Sequence, residues 1–110
     1  MIALVEQKKQ EVIALCRQFK VERLDLFGSA ASGDFRDESS DLDFVVRFAD
    51  RQPTGAYADR YLDFAEAMER LFHRSVDLVT EQSIHNPYFR RAVEATRQPI
   101  YERQDAEAVV

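Results

Sequence analysis

The segment 41–46 constrains this chain most, because two acidic residues open an otherwise apolar run that reads DLDFVV. Residues two apart in a strand point to the same side, so the carboxylates of Asp41 and Asp43 would project together. Two neighbouring carboxylates repel each other and raise one pKa unless a cation lies between them, and Mg²⁺ prefers oxygen ligands of this kind. This pair alone indicates either a metal site or an edge strand with a solvated acidic face.

A second feature is the pair Gly28-Ser29, which follows the short apolar run 23–27. Glycine permits a tight turn and a close approach of the backbone to a ligand. If a helical turn follows, its free N–H groups favour a phosphate, and Ser29 adds a hydroxyl donor. Taken alone, the pair is more typical of an ordinary strand-to-helix turn.

The third feature is Asp77, a single acid within the short apolar run 76–79. Alone it is more typical of an aspartate on the solvent side of an edge strand. If this strand lies beside the strand that begins at Asp41, then Asp77 meets Asp41 and Asp43 at one end of the sheet. A phosphate-holding turn with three such carboxylates can bind two Mg²⁺ ions and support in-line displacement at phosphorus.

The hydrophobic periodicity predicts an α/β (α+β) domain with a small mixed sheet and helices mainly on one face. We expect a single domain over 1–104 and a frayed tail over 105–110. The helix 56–72 is interpreted as a crossover between two strands, and the last helix is predicted to stop before Pro99. The predicted elements are helix 2–19, strand 23–27, helical turn 29–32, strand 41–48, helix 56–72, strand 75–80 and helix 87–97.

Charge and composition exclude several classes of function. The 110-residue chain carries 15 basic and 20 acidic residues, a net charge of -5, so direct binding to DNA is not expected. The single cysteine, Cys16, is interpreted as a core residue in a reducing compartment. No apolar run reaches the roughly 18–20 residues that span a bilayer, so we expect a cytoplasmic protein without a membrane partner. Arg97, with other arginines of the C-terminal region, is interpreted as part of a solvated basic face.

Three stretches together, LFGSAASG at 26–33, SDLD at 40–43 and VDLV at 76–79, resemble the minimal nucleotidyltransferase (MNT) domains of the DNA polymerase beta superfamily. The resemblance extends from Leu24 to about Tyr101 and implies the polymerase-beta-type nucleotidyltransferase fold. It also implies a role for each candidate residue of the site. Gly28 and Ser29 would hold the β- and γ-phosphates, Asp41 and Asp43 would ligate the metals, and Asp77 would complete the metal site and orient or deprotonate the attacking hydroxyl.

MNT proteins are often paired with HEPN proteins as antitoxin and toxin. The resemblance therefore implies a Mg²⁺-dependent nucleotidyltransferase that uses two ions and transfers AMP from ATP to a tyrosine of a HEPN toxin, in a hetero-oligomer with it. Two alternatives stay open: a nucleotide-binding module that neutralises its partner by contact alone, and a small-molecule modifier that needs a second subunit. Many relatives carry arginine before Gly33, where this chain has Ser32, and Arg36 is the nearby cation that could reach the phosphates instead.

Overall fold

A mixed sheet organises the chain in the computed structural model, which describes residues 2–32 and 41–103. Within these residues the sheet has four strands in the order β3-β2-β1-β4. The first strand, β1, runs antiparallel to both β2 and β4, whereas β2 and β3 are parallel. The strands are β1 (Val21–Phe27), β2 (Leu42–Phe48), β3 (Val76–Thr80) and β4 (Gln98–Glu102). The predicted mixed sheet is therefore confirmed, and β1 and β2 are its interior strands.

Helices connect the strands largely as the periodicity predicts. The expected helix 2–19 forms two segments that meet at Lys8, and one buried stripe with Val5 and Val12 continues across the break. The longest helix is the predicted crossover, because it joins the parallel strands β2 and β3. The helices are α1 (Ala3–Gln7), α2 (Lys9–Gln18), α3 (Ser29–Ser32), α4 (Gly55–Phe72) and α5 (Pro87–Thr96), and a 3₁₀ turn covers Glu81–Ser83.

The larger core lies between one face of the sheet and the helices α1, α2 and α4. Alternate residues of β2, namely Leu42, Phe44 and Val46, are fully buried there, as the period of two in the sequence predicts. From α4, Phe64 and Met68 are buried against the same face. Cys16 also belongs to this core, where burial raises the pKa of its thiol to about 12, so its interpretation as a core residue is confirmed.

A smaller core forms on the opposite face, where Val45 packs with Phe27, Ile84 and Val93. Val93 belongs to α5, so this helix covers the second face of the sheet while most helices cover the first. The side chain of Asn86 accepts hydrogen bonds from the N–H groups that open α5, and Pro87 occupies the first turn. The predicted start of α5 is confirmed.

The strand β4 was not expected, since Pro99 was interpreted only as the end of a helix. The structure ends α5 at Thr96 and places Pro99 within β4, the outer strand beside β1. A proline lacks the N–H that a central strand needs, but an edge strand tolerates it. Ile100 anchors β4 in the larger core, so the sheet gains a fourth strand that the pattern alone did not reveal.

Among residues 2–32 and 41–103, none of the helices combines the length and apolar character that a bilayer crossing requires. The expected loop 34–40, with Arg36, and the expected tail 105–110 lie outside the described residues.

Candidate functional site

Asp43 and Asp77 lie side by side on neighbouring strands. The parallel register of β2 and β3 pairs these two residues directly. Asp41 stands just before β2 and is exposed, as is Asp77, whereas Asp43 is partly buried. Since residues two apart in a strand share a face, the register brings the three predicted carboxylates to one end of the sheet.

The electrostatics of Asp43 show how closely these groups interact. Burial, the charge of Asp77 and the charge of Asp41, in that order, raise the pKa of Asp43 from 3.8 to about 6. Carboxylates crowded in this way favour a cation between them. Among the described residues, however, no three His, Cys, Asp or Glu side chains converge tightly enough to hold a metal ion by themselves. An ion at this position would need further ligands, such as water or phosphate oxygens.

Gly28 lies directly against this carboxylate cluster. The antiparallel register pairs Phe27 with Asp43, so the chain turns at Gly28 just beside the acidic residues. Gly28 adopts a left-handed backbone with φ of 74°. A Cβ atom added at Gly28 would stand 2.5 Å from Oδ2 of Asp43. Both the backbone conformation and the close contact require glycine here.

Some backbone groups of the turn at Gly28 form hydrogen bonds within the protein, and others have no acceptor among the described residues. The carbonyl of Gly28 accepts from the N–H groups of Ala31 and Ser32, which closes α3. The N–H of Gly28 donates to Oγ1 of Thr96 at 2.9 Å. No described residue accepts from the N–H of Ser29 or Ala30, which are the donors left at the start of α3. These two N–H groups and the Ser29 hydroxyl are the donors that an anion at this turn would meet.

Comparison with known proteins decides the family. Residues 9–100 match the model of the nucleotidyltransferase domain. The chain belongs to this family. It is similar to the candidate protein adenylyltransferase MJ1379 of Methanocaldococcus jannaschii, with 39% identity over 77 residues that cover 70% of this chain and 74% of that protein.

Solved structures show the same fold. A candidate minimal nucleotidyltransferase superposes on this nucleotidyltransferase with a TM-score of 0.70 and 29% identity, covering 89% of this chain and 96% of the other. A complex of the tri-AMPylated Shewanella oneidensis HEPN toxin with its MNT antitoxin contains a chain that matches with a TM-score of 0.57 and 22% identity. That match covers 94% of this chain and 77% of the other. The expected minimal nucleotidyltransferase fold is confirmed.

The nucleotidyltransferase also contains a buried ion pair beside the site that the sequence did not reveal. Asp25 on β1 is fully buried and accepts from Nε of Arg97 at 2.5 Å and from Nε of Arg23 at 3.0 Å. Arg97 further contacts Glu81 and Glu94. The interpretation of Arg97 as part of a solvated face was wrong, because only 12% of its side chain is exposed. The available signal was Asp25 itself, an acid inside an apolar strand that needs a buried partner.

A cleft of about 580 Å³ opens along the outer edge of β3 in this nucleotidyltransferase. Tyr57 and Tyr61 line it from α4, and Leu78 lines it from β3. The Tyr61 hydroxyl donates to the carbonyl of Leu78, and burial together with the charge of Asp77 raises the pKa of Tyr61. The cleft therefore lies next to the carboxylate cluster, on the side of Asp77.

Proposed function

We propose that this nucleotidyltransferase transfers AMP from ATP to a tyrosine hydroxyl of a HEPN toxin and so acts as its antitoxin. One observation carries the chemistry: Gly28 touches Asp43, which lies in register with Asp77. A nucleotide-holding turn and a carboxylate cluster thus share one end of the sheet. The named activity of the relative MJ1379 supports AMP as the transferred group, and the complex with the AMPylated HEPN toxin supports this kind of partner.

The donor set fits Mg²⁺. Carboxylate oxygens are hard ligands, and Mg²⁺ is commonly bound by one or two carboxylates together with substrate phosphates and water. We assign Asp41, Asp43 and Asp77 as the metal-binding residues, for two ions. The raised pKa of Asp43 supports this assignment, because a cation would relieve the repulsion from Asp77 and Asp41 that contributes to the rise. When bound, the ions would neutralise charge on the triphosphate and on the leaving group.

The turn at Gly28 and Ser29 is assigned to the β- and γ-phosphates. Because Gly28 has no side chain, its backbone comes close to the carboxylate cluster, and the donors of the turn therefore lie near that cluster. The N–H of Ser29, the N–H of Ala30 and the Ser29 hydroxyl supply donors. The two N–H groups are fixed before the nucleotide arrives, since α3 and the Gly28 bonds already hold the backbone of the turn.

The transfer itself forms one bond and breaks one. The acceptor oxygen bonds to the α-phosphorus, the bond from that phosphorus to the bridging oxygen of the β-phosphate breaks, and pyrophosphate leaves. The acceptor proton passes to a carboxylate, a role we assign to Asp77. Asp77 is exposed, so a hydroxyl of a second protein can reach it.

Intact-mass measurement tests the proposal. The chain is incubated with Mg²⁺, ATP and a HEPN protein, the first choice being any HEPN protein encoded by a neighbouring gene, and we expect the HEPN protein to gain the mass of one or more adenylates. Chelation of the metal with EDTA and the double change Asp41→Asn, Asp43→Asn should both abolish the gain. Asp63→Asn is the matched control, because Asp63 is an exposed acid near Lys20, at the other end of the sheet.

The same variants test the contact-only alternative, which is motivated by Ser32 in place of the arginine found in many relatives. If the Asp41→Asn, Asp43→Asn protein neutralises the toxin as well as the unmodified protein does, neutralisation needs no transfer. No adenylate on the HEPN protein, with both proteins folded, would also contradict the proposed activity.

A further inference from the structure

We infer that Thr96 is a positioning residue for the nucleotide, acting through the turn at Gly28. This inference rests on the proposed nucleotide site. Thr96 is the last residue of α5 and lies far from Gly28 in sequence, yet its hydroxyl is the acceptor for the Gly28 N–H. It lies outside the three stretches of the MNT resemblance.

The hydroxyl of Thr96 has a defined hydrogen-bonding role. It donates back to the helix, to the carbonyl of Ala92 at 3.3 Å, with Val93 at 3.5 Å as the second acceptor. The hydroxyl proton of Thr96 is therefore used in a hydrogen bond within α5. Its oxygen accepts from the N–H of Gly28, with 2.9 Å between Oγ1 and N. A side chain of the same shape without a hydroxyl would leave the Gly28 N–H, which is partly buried, without this acceptor.

The next residue fixes the helix end to the same strand. Arg97 bonds to the buried Asp25 of β1, and Gly28 follows the end of that strand. Thr96 and Arg97, at the C-terminal end of α5, thus bind Gly28, just after β1, and Asp25, within β1. Val93, one turn earlier, packs in the smaller core against Phe27 and Val45. The position of Thr96 relative to the turn is therefore set by buried contacts.

The consequence concerns the spacing between the turn and the carboxylate cluster. Gly28 already lies at contact distance from Asp43. The hydrogen bond to Thr96 therefore fixes the distance and orientation of the Gly28 backbone relative to the Asp43 carboxylate. Loss of this bond would allow the left-handed backbone of Gly28 to change conformation. The N–H groups of Ser29 and Ala30 would then move relative to Asp43. Nucleotide affinity should fall although no group that touches nucleotide has changed.

Thr96→Val and Thr96→Ser test this, since valine keeps the shape and serine keeps the hydroxyl. In the nucleotide-free protein, the Gly28 amide should exchange with solvent about tenfold faster in Thr96→Val, measured by NMR. By calorimetry, the dissociation constant for Mg²⁺·ATP should rise about three- to tenfold in Thr96→Val, as expected for one lost hydrogen bond, and Thr96→Ser should restore both values.

Asn86→Ala is the matched control, because it removes the cap at the other end of α5 and lowers stability without touching Gly28. All proteins are compared well below their melting temperatures. If Thr96→Val binds Mg²⁺·ATP as tightly as the unmodified protein, or if Asn86→Ala weakens binding equally, the role of Thr96 is only structural and the inference fails. If the unmodified protein itself does not bind Mg²⁺·ATP, the proposed function fails first and the inference falls with it.

Discussion

Gly28 and Asp43 touch across the β1–β2 pair, with room for a hydrogen but not for a methyl group between the Cα of Gly28 and the Asp43 carboxylate. The spacing between the turn and the carboxylate cluster therefore depends on the absence of one side chain. The left-handed φ of 74° at Gly28 adds a second constraint on the same residue.

Gly28→Ala should therefore affect binding more than stability. The left-handed conformation should destabilise the fold by about 1–2 kcal/mol, measured by urea unfolding. The added methyl would displace the Asp43 carboxylate, so calorimetry should show that Mg²⁺·ATP binding is lost. Gly55→Ala is the control, since Gly55 opens α4 with no atom within 4 Å of its added Cβ. Equal binding by both variants would mean that the contact with Asp43 does not matter.

The free energy of unfolding should depend on pH because the carboxylates of Asp41, Asp43 and Asp77 lie close together. The folded-state pKa of Asp43 is raised from 3.8 to about 6, so its folded form prefers the proton. The corresponding stability is fully present below about pH 4 and is lost as the pH rises through about 6. In metal-free protein this loss should be about 1–2 kcal/mol, which is less than the full shift would give because Asp43 is partly exposed.

Several acidic groups change protonation between pH 4 and pH 7, so the contribution of Asp43 must be separated from theirs. The variant Asp43→Asn removes only the contribution of Asp43. Urea unfolding at pH 4 and pH 7 should give a smaller difference for Asp43→Asn than for the unmodified protein. An equal difference in both proteins would show that Asp43 titrates normally. Adding Mg²⁺ at pH 7 should recover stability only in the protein that retains the carboxylate.

Asp41→Asn should relieve repulsion while it removes a proposed metal ligand. Because the charge of Asp41 contributes to the raised pKa of Asp43, that pKa should move toward its ordinary value, as measured by NMR titration. The melting temperature of the metal-free protein should stay the same or rise, and Mg²⁺-dependent nucleotide binding should weaken. A large loss of stability would instead identify Asp41 as a structural hydrogen-bond acceptor.

The buried pair of Asp25 and Arg97 should dominate the stability of the α5–β4 region. Arg97→Met leaves a fully buried carboxylate with Arg23 as its remaining cationic partner, and we expect a loss of about 3 kcal/mol in urea unfolding. Arg70→Met removes an exposed ion pair with Glu66 and should change stability by about 0.5 kcal/mol or less. Similar losses of unfolding free energy in Arg97→Met and Arg70→Met would mean that the buried ion pair of Asp25 contributes no more to stability than an exposed one.

Much of this structure could be predicted from local patterns. The alternation in β2 identified which residues enter the core, and Asn86-Pro87 marked the start of α5. The placement of Asp43 beside Asp77 was predicted on the assumption that their strands are neighbours. In the sheet, β2 and β3 are indeed adjacent. These features depend on residue spacing, and spacing is visible in a single sequence.

The features that were missed depend on contacts between distant segments. β4 has a proline at its second position, and its character as a strand comes from pairing with β1. Thr96 has no local signal at all, because its hydroxyl matters only where α5 ends beside Gly28. Asp25 gave a partial signal as an acid in an apolar strand, but nothing in the sequence identified Arg97 as its partner.

The crossover helix α4 separates Asp43 from Asp77 along the chain, and only the pairing of β2 with β3 brings them together. A nascent or truncated chain that stops before β3 would carry the glycine turn and two acids yet lack the third. Assembly of the carboxylate cluster is thus coupled to completion of the sheet, and binding of a ligand that requires all three acids would indicate that the fold is complete.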